Sequence, residues 1–304
     1  MRKKILITGA TGLVGRNLVI KALKKGYSIN FLTTQKHKIN SLKGCKGFYW
    51  DPFKGKIDLD AFKNTSYIVN LAGSSISNKW SKSYKIKIIE SRVLSSQILY
   101  NSLVDINHKL KGIVSASAIG YYPSSLDMYY KESDIFNPEN YLQKVVDKWE
   151  SSVDELETYS NNTIKLRIGL VLSDQGGFLL KLLLPVKFGL GSSFGLGNQW
   201  QSWIHIEDLS NLILHGLEKN LNGVYNAVAP NPITQNELVT LLGKRINRPV
   251  FLPNIPKKII ETIFGDRSQL LLDSHRVSSD KILKSKFKFE FKKFEQAIKK
   301  LKLD

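Results

Sequence analysis

The sequence predicts an α/β protein built on a doubly wound parallel sheet, with a smaller C-terminal substrate domain. Three observations carry this. Short, nearly continuous apolar runs alternate with amphipathic stretches up to residue 172, the pattern of strands covered on both faces by crossover helices. The first apolar run passes through a glycine-rich turn directly into a helix. The texture then changes, with a Gly-rich segment from Gly189 to Gly197 and, beyond Pro230, short helical stretches and a tail rich in Lys and Phe.

Lys4–Thr8 reads as a buried strand. Val14–Lys25 has helical spacing, with Val14, Leu18, Val19, Ala22 and Leu23 on one face, and Gly26 ends it in the left-handed conformation that glycine favours. Further strands are expected at Ser28–Leu32, Tyr67–Ala72, Gly112–Ala118, Thr163–Leu172 and Val224–Val228. Helices are expected at Ser81–Leu103, at Tyr141–Tyr159 after the lead-in Asn137–Pro138, and at His205–Leu217. Residues 1–172, rejoined by 204–229, form the nucleotide-binding domain. Residues 173–203 and 230–304 form the smaller one.

Composition removes several classes. With 42% hydrophobic and 23% charged residues in 304, the chain is neither disordered nor a disulfide scaffold. Its one cysteine, Cys45, excludes an internal disulfide and a cysteine-based zinc or iron–sulfur site, and no metal is expected. No run approaches the ~18 apolar residues of a membrane helix, so a cytoplasmic protein without membrane insertion is expected. The net charge of +19 suggests a polyanion partner. However, only eight of the 45 basic residues are Arg, and the lysines are spread along the chain apart from a denser stretch from Lys281 to Lys302. They read as solvated surface, and no nucleic-acid partner is expected.

The chemistry starts at Ile5-Leu6-Ile7-Thr8-Gly9-Ala10-Thr11-Gly12-Leu13-Val14-Gly15. Gly9 permits the turn, Gly12 lets backbone approach a diphosphate, and Gly15 lets the helix pack on the sheet. Thr11, Leu13 and Val14 complete the loop, whose amides and helix dipole meet the phosphates of a dinucleotide. The end of the second strand selects between coenzymes, because a carboxylate there bonds the ribose 2′-hydroxyl of NAD. Here it reads Phe31-Leu32-Thr33-Thr34-Gln35-Lys36. Thr33 and Thr34 offer hydroxyls and no acid is present, which favours NADP(H) over NAD(H).

The glycine loop and the following Asn70-Leu71-Ala72-Gly73 resemble the extended short-chain dehydrogenase/reductases, the class of the nucleotide-sugar epimerases. More narrowly the chain is similar to the atypical YfcH-like subgroup of NAD(P)-binding proteins. Matching segments include Trp50-Asp51-Pro52, Ser91-Arg92-Val93, Ser115 to Tyr122, Trp149-Glu150, Leu166-Arg167-Ile168-Gly169, Gln199 to His205, and Leu271-Leu272-Asp273 with Arg276-Val277. The resemblance implies an N-terminal Rossmann domain. It implies that Leu71, Ala72 and Gly73 lie along the cofactor, that Ser115, Ala116 and Ser117 end a strand beside the nicotinamide, and that Leu170 belongs to the same cofactor set.

Hydride transfer in that class uses a Ser or Thr with a Tyr and a Lys four residues apart on one helix face. Ser117 stands at the serine position and Tyr141 at that of the tyrosine, but Val145 stands at that of the lysine, and none of the twelve tyrosines has a Lys four residues on. Without that Lys, a phenol of ordinary pKa, about 10, is a poor base at neutral pH. Tyr121 or Tyr122 offers a further hydroxyl from the other side of the pocket. For substrate, Trp200, Trp203 and His205 read either as a pocket wall or as core and helix-start residues. Arg92 and Arg167 read as ligands for an anionic substrate or as salt-bridge partners. The expectation is an NADP(H)-dependent oxidoreductase or nucleotide-sugar epimerase with an incomplete Tyr–Lys site and a small-molecule substrate. The alternative is a cofactor-binding regulatory protein with a division-protein partner, since cyanobacterial and plastid members of the subgroup are called cell-division inhibitors.

Overall fold

A computed structural model describes residues 3–303. The chain forms two compact units. One holds the chain through Tyr121 with Pro138–Arg167 and Ser210–Tyr225, and the other holds Tyr122–Asn137, Ile168–Leu209 and the chain from Asn226 on. This differs from the boundaries drawn above, because pairing draws short segments into the second unit. Tyr129–Tyr130 pairs with Arg276–Val277, and Leu170–Leu172 pairs with Trp203–His205.

The first unit is built on a sheet of β1 (Lys4–Thr8), β2 (Ser28–Thr33), β3 (Cys45–Asp51), β4 (Lys56–Ile57), β5 (Tyr67–Asn70), β6 (Gly112–Ala118), β7 (Thr163–Ile168) and β8 (Gly223–Ala227). Their order is β8-β7-β6-β5-β1-β2-β3-β4. β1 lies parallel to β2 and β5, β2 to β3, and β5 to β6, while β4 returns antiparallel on β3. All of β5 and Ile5–Thr8 of β1 are buried, so both faces are covered. β3 was not legible in the sequence. Its burial alternates only over its second half, and its third residue is Gly47, required because a Cβ there would stand 2.2 Å from the Ile39 carbonyl oxygen.

The longer helices are α1 (Leu13–Lys24), α2 (Lys82–Asp105), α3 (Tyr141–Asp154), α4 (Phe178–Lys187), α5 (Ile206–Glu218), α6 (Gln235–Arg245) and α7 (Lys257–Phe264), and three shorter ones follow at Gln269–Leu272, Asp280–Lys284 and Phe294–Lys300. α2 is capped by Ser81, whose hydroxyl accepts from the Tyr84 amide. α3 is started by Asn140 in a capping box with Gln143, not by Asn137–Pro138, and it gives way to a 3-10 turn after Asp154. The strand expected over Thr163–Leu172 is broken at Gly169, where a Cβ would meet the Ser202 carbonyl oxygen at 2.4 Å. α2 and α3 pack together. Gly216 brings α5 close to Ile164 of β7. The second unit has its own core, where Leu179, Leu182 and Leu183 of α4 and Leu238 and Leu242 of α6 enclose Trp203, Phe291 and Phe294. Among the described residues no helix is long and apolar enough to cross a membrane.

The helix-to-turn contact at Gly15 is the tightest feature of the glycine loop. A Cβ there would lie 2.3 Å from the Gly9 carbonyl oxygen and 2.6 Å from Ala10 Cα, whereas one at Gly12 would lie 3.2 Å from Gly9 O and meet nothing else. Gly15→Ala is therefore expected to cost about 3 kcal/mol through forced backbone displacement, and Gly12→Ala about 1 kcal/mol or less. Urea unfolding midpoints at unchanged slope check the difference.

Candidate functional site

In this topology the chain runs β1, β2, β3 to one side and returns to β5 on the other flank of β1. That reversal opens a crevice at the carboxyl ends of the strands, the place where open α/β sheets bind ligands. Three loops converge there. Gly9 leaves β1 at φ +66° with no room for a side chain against the Leu71 carbonyl. The buried Thr8 hydroxyl donates to Asn70 Oδ1 at 2.6 Å and accepts from the amides of Leu71 and Ala72 at 3.0 and 3.1 Å, fixing the chain where it leaves β5. The Ser74 amide donates to Ser91 Oγ of α2. Sequence reasoning had assigned Thr8 and Ser91 no role.

The resulting cleft has a volume of about 700 Å³, within the usual range for small-molecule sites. Of the expected cofactor residues, Gly9, Thr11, Thr33, Thr34, Ala72 and Gly73 line it. Gly12 caps α1 through its backbone alone. No side chain bonds that end, no acidic residue occupies the first turn, and the first intrahelical bond runs from the Arg16 amide to Gly12 O. The amides of Leu13, Val14 and Gly15 thus precede the helical ladder. Thr33 Oγ1 accepts from the Gln35 amide at 3.2 Å and shapes the turn after β2. The far wall is Trp50, Asp51, Pro52 and Phe53, delivered by β3. In the sequence Asp51 stands out only as part of the matching segment Trp50-Asp51-Pro52. It starts the turn Pro52–Lys54, and it also faces the cleft. Ser115 differs from expectation in another way. It is fully buried in β6, and its hydroxyl donates to the Ala116 carbonyl.

Ser117, near the end of β6, donates to Glu150 Oε1 at 2.5 Å. Glu150 is also gripped by Arg167, Nε to Oε1 and Nη2 to Oε2, both at 2.9 Å. All three side chains are buried. The guanidinium of Arg167 lies 3.4 Å from the centre of the Tyr121 ring. Arg167 is therefore a salt-bridge partner, the second of its two expected roles. Ser117 has committed its proton and offers a ligand only lone pairs. The Tyr141 hydroxyl donates to the Lys85 carbonyl of α2 at 2.8 Å, with its ring edge-on to Trp80. Burial pushes its pKa up to about 12 against the opposing pull of Arg92. This corrects its expected role: a phenol so held stays protonated at neutral pH and ties α3 to α2 rather than acting as a base.

Comparison with known proteins fits this geometry. A family model described as the NAD dependent epimerase/dehydratase family matches residues 5–143, and one described as a domain of unknown function, DUF1731, matches residues 255–301. An epimerase family protein of Staphylococcus saprophyticus is 34% identical, over 98% of this chain and 99% of the relative. The chain belongs to the epimerase family, as an atypical extended short-chain dehydrogenase/reductase. Among solved structures, this epimerase-family chain is similar to the human epimerase family protein SDR39U1, determined with NADPH (TM-score 0.86, 27% identity, 98% of each chain covered). It is also similar to a nucleoside-diphosphate sugar epimerase from Corynebacterium glutamicum (TM-score 0.78, 25% identity, 98% of this chain and 57% of that one).

The remaining candidates of this epimerase-family chain lie in its second unit. Trp203 is fully buried, donates its indole N–H to the Asn231 carbonyl, and packs edge-on to Phe294. His205 is buried against Phe291, and its Nδ1 accepts from the Glu207 amide at the start of α5. Both are core and helix-start residues, correcting the pocket reading. Trp200 is half-buried, donating to the Leu126 carbonyl beneath the guanidinium of Arg276. The amide of Leu170 donates to Ser202 O. No group of His, Cys, Asp or Glu among the described residues could hold a metal ion.

The Glu150 network makes unequal demands on its members. Glu150→Gln breaks a buried, bidentate ion pair and is expected to cost about 3–5 kcal/mol. Ser117→Ala removes one hydrogen bond to a carboxylate that keeps its arginine, and is expected to cost about 1.5 kcal/mol. Equilibrium urea unfolding of the two variants checks the ratio.

Proposed function

We propose that this epimerase-family chain binds NADP(H) and acts as an oxidoreductase or epimerase on a small molecule, with a nucleotide-linked sugar as the substrate class. The observation that carries the cofactor reading is the cleft itself. It joins an α1 end with no side-chain cap and no acid in its first turn to a β2 end that presents Thr33 and Thr34 without a carboxylate. The amides of Leu13, Val14 and Gly15 would hold the diphosphate. Thr33 and Thr34 would take the 2′-phosphate, and Asp51 would accept from ribose hydroxyls. The relative determined with NADPH supports the same coenzyme. When bound, the nicotinamide supplies or removes a hydride.

The protein's own contribution is orientation. Because its proton is held by Glu150, Ser117 accepts a hydrogen bond from a substrate hydroxyl and leaves that hydroxyl one direction to point. The second unit is proposed as the substrate domain, with Trp200 as its exposed-edge candidate, and the cytoplasm as the compartment. A second reading, a cofactor-responsive regulatory protein with a protein partner such as a division protein, is favoured by one observation: Tyr141 is held protonated by burial, and no lysine stands four residues beyond it. Cofactor-dependent turnover of nucleotide sugars or small carbonyl compounds supports the first reading. A partner captured only from the cofactor-loaded protein, with no turnover, supports the second.

Fluorescence titration tests the coenzyme assignment. The wild-type chain is expected to bind NADPH at least about tenfold more tightly than NADH, and Thr34→Asp to reverse the preference by setting a carboxylate against the 2′-phosphate. Tighter NADH binding by the wild type would overturn the assignment.

A further inference from the structure

Two buried arginines in the first unit are treated in opposite ways. Arg167 has its carboxylate. Arg92, on α2, is only 9% exposed and has none among the described residues. Its Nη1 donates to the Ile88 carbonyl at 2.8 Å and to the Ser74 carbonyl at 3.2 Å, and the guanidinium lies 4.8 Å from the Trp149 ring. Among the described residues the fully buried Nε has no hydrogen-bond partner, and Nη2 makes no bond. A whole edge of the fork is therefore unused. Burial draws the guanidinium down to about 10, still protonated, against the opposing pull of the Tyr141 and Tyr84 phenols.

A buried charge without a counter-charge is costly, and folded proteins rarely keep one. The position of this one is informative. The guanidinium lies flat against Gly73, where a Cβ would come within 3.1 Å of Cζ and 3.3 Å of both terminal nitrogens. Gly73 and Ser74 line the cleft, as does Ser91, the neighbour of Arg92. The glycine thus keeps the floor of the cleft thin over a positive charge.

We propose that Arg92 is the anchor of an oxyanion subsite beneath Gly73 and Ser74, receiving a phosphate or carboxylate on the guanidinium edge formed by Nε and Nη2. Side-on pairing of two oxygens with that edge is the geometry in which arginine binds acidic groups most strongly. The subsite deepens the cofactor reading and rests on it for the nature of the cleft. The oxyanion has two sources, the dinucleotide itself or a separately bound acidic substrate.

The test is calorimetric titration of inorganic phosphate, at ionic strength held constant with chloride, into the wild type, Arg92→Met, Arg92→Gln and Arg92→Lys, each with and without saturating NADPH. Phosphate affinity is expected to fall at least about tenfold in the Met and Gln variants and to be only partly restored by Lys, which lacks the fork. Urea midpoints should not fall in Arg92→Met, since replacing an uncompensated buried charge with an apolar chain of similar length is neutral or stabilising. An Arg92-dependent phosphate signal that NADPH abolishes assigns the subsite to the dinucleotide, and one that survives NADPH assigns it to a substrate. Arg92-dependent phosphate binding in a chain that does not retain NADPH leaves the subsite standing and removes the cofactor reading. Unchanged phosphate affinity in a folded Met or Gln variant overturns the proposal and leaves Arg92 as a clamp for two carbonyls.

Discussion

The candidate site depends on one steric constraint: the backbone of the Gly9–Gly15 turn lies against itself and against Leu71 with no room for side chains. That contact holds α1 directly over the end of β1. It leaves the first helical amides without acceptors and fixes the neighbouring loop, whose own amides are satisfied by Thr8. A helix end in this state presents partial positive charge that neither a side-chain cap nor an acid in the first turn compensates. The cleft is polar at this end because of backbone geometry, and Thr33 and Thr34 extend the same character to the end of the neighbouring strand.

The charged interior of the first unit divides into a compensated and an uncompensated half. Glu150 and Arg167 satisfy each other and take the proton of Ser117, forming a rigid, closed set. Arg92 is held by carbonyls and an aromatic face but keeps its charge open. Closed networks of the first kind hold side chains in place, whereas an open buried cation beside a cleft has electrostatic capacity left for a ligand. The family's usual acid–base pair is missing from α3, and Tyr141 is spent on an inter-helix contact. What the first unit offers a ligand beside the cleft is placed charge and hydrogen-bond acceptors.

Features set by local sequence were legible. The glycine loop and the Thr33–Thr34 signal each depend on a few contiguous residues, and Gly9, Thr11, Thr33 and Thr34 line the cleft. Features set by distant pairing were not. Trp50 to Phe53 become a cleft wall only because β3 lies next to β2, and β3 itself is masked by Gly47 and by the exposed Lys46 before it. Residue type also misleads where a motif is dense. Trp200, Trp203 and His205 share one short segment, yet only Trp200 keeps appreciable exposure, because Trp203 and His205 belong to a short strand buried on both faces while Trp200 sits in a separate, half-buried one. For Arg92 the sequence allowed a ligand or a salt bridge, and among the described residues no carboxylate pairs with it.

The central claim is that the amides opening α1 receive the diphosphate of a pyridine dinucleotide. Backbone amide NMR of the intact chain, titrated with NADP(H), tests it most directly. The account predicts that the Leu13, Val14 and Gly15 amide signals show the largest shifts and are protected from hydrogen exchange at saturation. Saturable binding that leaves these three amides unmoved, or no binding at all, would contradict it.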